Sequence, residues 1–403
     1  MNPISRKAPT HSSAEAQRRL AYFNQCRDEI VSTIRELVEI ESPSDNKAAA
    51  DRLAETVAQQ FSQLGGDVQI HQAKDFGNHL QVDFPGNAAA KPLMLLGHYD
   101  TVYPLGTLAT MPCRAVGDKL TGPGVLDMKS GIALMLHALA ALQDWHKQDV
   151  HNEVRHGGLP RPVTVLLVSD EEVGSDSSRA ITESLAKKAA AVLVLEPSYG
   201  SQGAVKTARK GVGDYLVKVT GKASHAGLDF QKGVNAILEL ARQIEKISSF
   251  TDLKKGLTVN VGTVSGGSRT NVVPAEATAQ VDVRIARIKD AAGIDKKMRS
   301  LRPFNRKCKI EITGGINRPP MERTAGVAAL YAQAAAIARD LGWKLGEAAV
   351  GGGSDGNFTA SLGIPTLDGL GAVGDGAHAP HEHILISELP RRAALVAGLI
   401  EAV

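Results

Sequence analysis

Three runs of the chain, "LMLL" (93–96), "VTVLLV" (163–168) and "AAVLVL" (190–195), are apolar at almost every position. A strand with one wet face alternates apolar and polar residues, so runs without alternation must be covered on both faces. Helical segments separate them: the apolar spacing predicts helices over 129–144 and 177–188. Strands buried on both faces and alternating with helices define an α/β fold, a doubly wound and mainly parallel sheet. Earlier in the chain, helical spacing runs from residue 13 to 41, where "SPSDN" ends it, and again over 46–64. "DVQIHQA" and "HLQVDF" add strands before "LMLL".

Near Lys210 the texture changes. "GDYLVKVTG" alternates like a half-exposed strand. A helix around 233–248, the strands "LTVNVGTVSG" and "EATAQVDVRI", a helix near 288–300 and the strand "KCKIEITGG" follow. The order β-α-β-β-α-β is that of a ferredoxin-like α+β sandwich. After "NRPPMERT" the doubly wound texture returns, with helices over 325–342 and 387–402 and a buried strand in "IPTLDGLG". The small domain therefore reads as an insertion at 209–317, splitting a larger domain into 14–208 and 318–403. With 403 residues the chain is long enough for two cores. Residues before 13 and the polar stretch 146–162 read as a lead-in and a surface loop.

Composition narrows the partners. The net charge is +3, with no basic block and no aromatic ladder, so a nucleic-acid partner is not expected. Cys26, Cys113 and Cys308 are widely spaced, which fits neither a disulfide framework nor a thiolate zinc site and suits a reducing compartment. "MNPISRKAPTHSSAEAQRRL" has no apolar core of a secretory signal, and "IALMLHALAAL" falls short of the roughly 20 residues of a membrane span. The expected location is cytoplasmic, without a membrane.

In open α/β sheets functional groups gather at the carboxyl ends of strands. Here "LLGHYD" supplies His98 and Asp100, and "GPGVLDMK" supplies Asp127. "LLVSDEEVGS" supplies Asp170, Glu171 and Glu172, and "LVLEP" supplies Glu196. The loop "GDGAHAPHEHI" supplies His378, His381, Glu382 and His383. Imidazoles and carboxylates without a thiolate suit a site for two divalent metals, zinc first and cobalt or manganese as alternatives. Such a site needs a carboxylate shared by the metals and another that moves protons. Adjacent glutamates at a strand end point in different directions, so in "EE" one can bind metal while its neighbour faces the water.

These motifs, in this order, resemble the di-zinc metallopeptidase and amidohydrolase family of glutamate carboxypeptidase, succinyl-diaminopimelate desuccinylase, acetylornithine deacetylase and aminoacylase. The likeness covers nearly the whole chain from about residue 25, inserted domain included. It implies His98 and Glu196 as ligands of one metal, Asp127 as the bridging carboxylate and Glu172 as a ligand of the second metal. It implies Glu171 as the general base, and Asp100 as the residue that orients His98. The family's last ligand histidine stands four residues before a glutamate, which selects His378 ahead of Glu382. His381 then falls at a non-ligand position, and His383 is expected in solvent. In the inserted domain, "GKASHAG" places His225 where the family stabilises an oxyanion from the partner subunit, which implies a homodimer through this lid. "TNVVP" places Asn271 at a substrate contact. Arg318 in "GGINRPP" resembles the arginine that grips a substrate carboxylate, with a hinge salt bridge as the competing reading. The Gly-rich loop "GGGSDGN" (351–357), which includes Gly353, offers amides for the same carboxylate, and Ser354 and Asp355 are weaker choices.

The resemblance is nearest to glutamate carboxypeptidase, through "GKASHAG", "NRP" and "GGGSDGN". The expected activity is hydrolysis of an amide next to a free carboxylate, on small N-acyl amino acids or peptides of the glutamate type. An N-acyl amino acid deacylase stays open, because it shares every metal ligand. A catalytically silent binding module would lack a ligand or the base, and no such gap exists. "GLGAVG" (369–374) fits a dinucleotide fingerprint but lacks the βαβ unit it needs, and reads as backbone packed around the metal site.

Overall fold

The computed structural model describes residues 13–148 and 159–403. The lead-in and most of the polar stretch lie outside the described residues. Two compact units are present. The first holds the described residues up to Ala208, Arg323–Ala349 and Ser354–Val403; the second holds Arg209–Glu322 and Val350–Gly353.

The core of the first unit is a sheet whose strands run, edge to edge, Asp67–His71, His79–Phe84, Val163–Val168, Leu93–His98, Ala191–Val194 and Thr366–Leu367. Leu93–His98 pairs in parallel with both Val163–Val168 and Ala191–Val194, and Thr366–Leu367 continues the parallel run. His79–Phe84 and Asp67–His71 close one edge antiparallel. Every residue of Leu93–His98, Val163–Val168 and Ala191–Val194 is buried, as unalternating runs require. The parallel register carries His98 level with Val168, so "HYD" and "SDEE" leave the sheet at one end.

Helices Ser13–Gln25 and Arg27–Glu39 replace the single helix expected over 13–41. The chain breaks at Cys26, whose backbone leaves the helical region at ψ 3°. Apolar spacing runs on across that break, so periodicity alone does not reveal it. The apolar helical stretch Val125–Trp145 is long and apolar enough to cross a bilayer, contrary to the sequence expectation. It is 83% buried inside the protein, the mark of a core helix. Four short strands without periodicity were not expected: Gly374–Asp375, His383–Leu385, Lys119–Thr121 and Arg114–Val116 form a further sheet in that order. It ties the histidine-rich loop to the segment leading into Asp127.

The second unit has the sheet order Thr258–Gly266, Glu276–Ile285, Gly211–Thr220, Lys309–Arg318, with all neighbours antiparallel. Helices Ala236–Ser248 and Ala291–Arg299 complete the β-α-β-β-α-β order. Tyr215, Val217 and Val219 alternate inward to a core with Leu240, Ile247 and Met298. The boundary differs from the expected one. Arg318 ends a strand of this unit, opposite Val212, and the unit runs on to Glu322. Gly353 also belongs to it, because the Arg209 guanidinium donates to the carbonyls of Gly352 and Gly353 at 3.3 and 3.0 Å.

The "GLGAVG" loop is closed by packing. A Cβ on Gly371 would stand 2.3 Å from the Leu195 carbonyl oxygen, and its amide donates to the Glu196 carbonyl at 2.8 Å. Arg392, fully buried, donates to the carbonyls of Gly371, Gly203 and Gly369 at 2.8, 2.9 and 2.5 Å. Leaving those carbonyls dry and unbonded costs about 1–3 kcal/mol each. Arg392→Met is therefore expected to destabilise the protein by about 3 kcal/mol or more in urea unfolding. A loss below about 1 kcal/mol would contradict the role given to this arginine.

Candidate metal centre

His98 ends its strand buried and is oriented through Nδ1, which lies 3.0 Å from the Asp100 carbonyl oxygen and 3.4 Å from Asp100 Oδ1. Nε2 is left facing Asp127 Oδ1 at 3.1 Å and Glu196 Oε1 at 3.4 Å. Asp127 turns its other oxygen, Oδ2, to His378 Nε2 at 3.6 Å. His378 Nε2 also lies 3.1 Å from Glu172 Oε1. The donor atoms of His98, Asp127 and Glu172 fall within 4.8 Å of one another, as do those of His98, Glu171 and Glu196. The structure thus brings together His98, Asp127, Glu171, Glu172, Glu196 and His378, with the Asp127 carboxylate between the two imidazoles.

Asp100 holds more than His98. Its Oδ2 accepts from the Ser44 hydroxyl at 2.7 Å and the Glu172 amide at 3.2 Å, and its Oδ1 accepts from the Glu171 amide at 3.3 Å. One fully buried carboxylate therefore sets both the imidazole and the backbone of the two glutamates. Asp170 turns away and accepts from the Ser177 amide and hydroxyl at 2.8 and 2.7 Å.

Four carboxylates meeting in a buried space repel one another and call for cations. Burial pushes His98 down, but hydrogen bonds to Asp100, Asp127 and Glu196 override it and hold the imidazole well above its ordinary value. Hydrogen bonds to Asp127 and Glu172 raise His378 to about 10. Burial pushes Asp127 up, but hydrogen bonds from His378 and His98 win and hold it far below the usual carboxylate range. Burial lifts Glu172. Without metal, the two imidazolium charges offset part of the carboxylate charge. Divalent cations would take over that role at the same nitrogens and oxygens, and the donor set fits zinc, cobalt or manganese.

Among the other histidines, His381 is exposed. His383, expected in solvent, is buried instead. It lies in the strand His383–Leu385, opposite Thr121, with Nδ1 2.9 Å from the His381 carbonyl oxygen. Ser354 and Asp355 turn inward, to Asp368 Oδ2 and the Ser175 hydroxyl.

In the second unit, Ser224–His225 pairs with Val272–Val273, and the Ala226 amide donates to the Asn271 carbonyl at 2.9 Å, so His225 and Asn271 are neighbours. His225 Nδ1 accepts from the amides of Gly227 and Leu228 at 3.1 and 3.0 Å. With Nδ1 accepting, Nε2 of the exposed ring is the nitrogen that donates. Arg318 is 7% exposed. Sequence reasoning missed the parts played by Ser44 and by Glu382, whose carboxylate accepts backbone amides around Asp127. The spacing of Glu382 from His378 was its one visible signal.

The model of the peptidase family M20/M25/M40 matches residues 94–402. The chain belongs to that peptidase family. It is 33% identical to carboxypeptidase G2 of Pseudomonas sp. (strain RS-16) over 392 residues, covering 94% of this chain and 91% of the relative. Among solved structures, aminopeptidase PepT from Bacillus cereus ATCC 10987 superposes with a TM-score of 0.74 at 22% identity, covering 93% of this chain and 98% of that one. The Bacillus subtilis YXEP protein, described as a dinuclear metal binding peptidase of this family, gives 0.66 at 14% identity, covering 94% and 98%. These two likenesses concern the M20 fold, which this chain shares.

The raised His378 sets a sign for pH dependence. A group lifted from 6.5 to about 10 adds stability that is full below pH 6.5 and lost as pH rises through about 10. Chelator-treated protein should lose Tm across that window, and His378→Ala should flatten the slope. Metal-loaded protein should not follow this slope, because ligation requires the unprotonated ring. A melting curve whose pH slope ignores His378→Ala would refute the pairing.

Proposed function

We propose that the protein is a metal-dependent carboxypeptidase or amidohydrolase that cuts the amide bond next to a free carboxylate, with glutamate as the favoured terminal residue. Two divalent ions, zinc first, would be held by His98 and Glu196 on one side and Glu172 and His378 on the other, with Asp127 shared. The observation that carries this reading is the Asp127 carboxylate set between His98 and His378. Membership of the peptidase family and the 33% identity to carboxypeptidase G2 support it.

Bound ions of this kind polarise a carbonyl oxygen and lower the pKa of water towards about 7. The chain's own residues do the rest. Glu171 takes the proton of the attacking water and returns it to the leaving nitrogen. Its place beside His98 and Glu196 supports that role, while Glu172 is committed to His378. Asp100 keeps both glutamates and His98 in register through the bonds described above. His225, with Nε2 as donor, stabilises the carbonyl oxygen as it gains charge, acting on the active site of a second copy. Asn271, next to it, contacts the substrate. Arg318 receives the free carboxylate through its planar fork, aided by the amide of Gly353.

Two copies would join through the second unit. Its edge strand Thr258–Gly266 exposes Val264, and helix Ala236–Ser248 exposes Ile237 and Leu238, an apolar edge of the kind that pairs with another chain.

Chelation is expected to abolish hydrolysis of N-acyl-glutamates, and added zinc to restore it. Glu171→Gln should lower kcat by about 10²–10⁴-fold with little change in KM. Arg318→Ala should raise KM for glutamate substrates by roughly tenfold to a hundredfold, as loss of a charged hydrogen bond of about 1.5–3 kcal/mol implies. Activity that survives chelation, or full activity of Glu171→Gln, would refute the proposal. Unchanged KM in Arg318→Ala, with turnover of N-acetyl amino acids of other types, would favour a deacylase.

A further inference from the structure

We infer that Glu382 is a positioning residue that fixes Asp127 relative to His378, and so governs affinity for the second of the two cations in the proposed function, on which the inference rests. The Glu382 side chain is fully buried, and a buried carboxylate requires bonded partners. It finds them in the backbone before the bridging aspartate. Oε2 accepts from the Gly124 amide at 3.0 Å; Oε1 accepts from the amides of Leu126 and Asp127 at 2.7 and 2.9 Å. Backbone amides curled around one anion form a nest, here those of Gly124, Leu126 and Asp127. Gly124 makes the curl possible, with φ at +71° and no room for a side chain, since a Cβ would stand 2.5 Å from Thr101 Cγ2.

The other end of Glu382 belongs to the loop of His378. Its amide donates to the Ala379 carbonyl at 3.0 Å, and the Tyr103 hydroxyl donates to the same carbonyl at 3.1 Å. One side chain therefore joins two segments far apart in sequence, one carrying Asp127 and the other carrying His378. The ligands differ in how they are supported. His98 ends a strand of the central sheet and Glu196 closely follows another, so parallel pairing fixes both. His378 sits in a turn at φ +63°, half exposed, between the short strands Gly374–Asp375 and His383–Leu385. The cation shared by Glu172 and His378 thus depends on the Glu382 clamp, and the cation shared by His98 and Glu196 depends on the sheet.

Glutamine tests the clamp with little change in shape. The carboxylate faces N–H donors, so the NH2 of glutamine must oppose one of them, and the nest opens. The experiment titrates zinc into chelator-stripped full-length protein against a chromophoric chelator, for wild type and E382Q, with near-UV circular dichroism to confirm folding. Wild type is expected to bind two equivalents. E382Q should keep its tighter site within about threefold and lose about tenfold to a hundredfold at the weaker one, the usual range for outer partners of a metal site. If E382Q does not fold, Glu382→Asp keeps the charge but shortens the reach, and should show the same selective loss. Two unchanged affinities in a folded variant, or equal losses at both sites, overturn the inference while leaving the proposed function standing. Wild-type protein that takes up fewer than two equivalents overturns the proposed function and this inference with it.

Discussion

The carboxylate of Asp127 offers Oδ1 to one imidazole and Oδ2 to another, His98 at 3.1 Å and His378 at 3.6 Å. Those histidines lie in two separate sequence segments of the first unit, and the fold makes them meet across one carboxylate. The parallel pairing of Leu93–His98 with Val163–Val168 and Ala191–Val194 brings His98, the two glutamates and Glu196 to one end of the sheet. The pairing of His383–Leu385 with Lys119–Thr121 brings the loop of His378 there. Each of the two proposed ligand pairs then has its own support: the sheet for one, a hairpin and a buried glutamate for the other.

Charge explains why so many side chains are needed to hold so few. Asp127, Glu171, Glu172 and Glu196 crowd one largely buried space, and two imidazoles can offset only part of their charge. Asp100 and Glu382 spend their own charge on backbone amides, Asp100 on Glu171 and Glu172, Glu382 on Gly124, Leu126 and Asp127. Neither needs to touch a cation. In the proposed centre, both would hold the candidate ligands in place against the repulsion among them, which is what preorganisation of a metal centre means physically.

Much of this was legible in the sequence, for a physical reason. His98, Glu171, Glu172 and Glu196 each directly or closely follow an apolar run, so the strands announced both the sheet and the end of it where these side chains gather. His378 was legible through its distance from Glu382. What pattern reading missed depends on contacts between distant residues. The three-residue strand His383–Leu385 has no periodicity of its own, and its pairing buries His383, which had been expected in solvent. The break at Cys26 leaves the apolar spacing intact. Arg318 and Gly353 fall in the second unit because of a register with Val212 and the reach of Arg209, neither of which is local in sequence.

The most direct test of the account is where metal sits in crystals of zinc-loaded protein, read from anomalous scattering at the zinc edge. The account predicts two peaks roughly 3.5–4 Å apart, bridged by Asp127, one against His98 and Glu196 and the other against Glu172 and His378. A single peak, or a pair in which Asp127 touches neither ion, would contradict it.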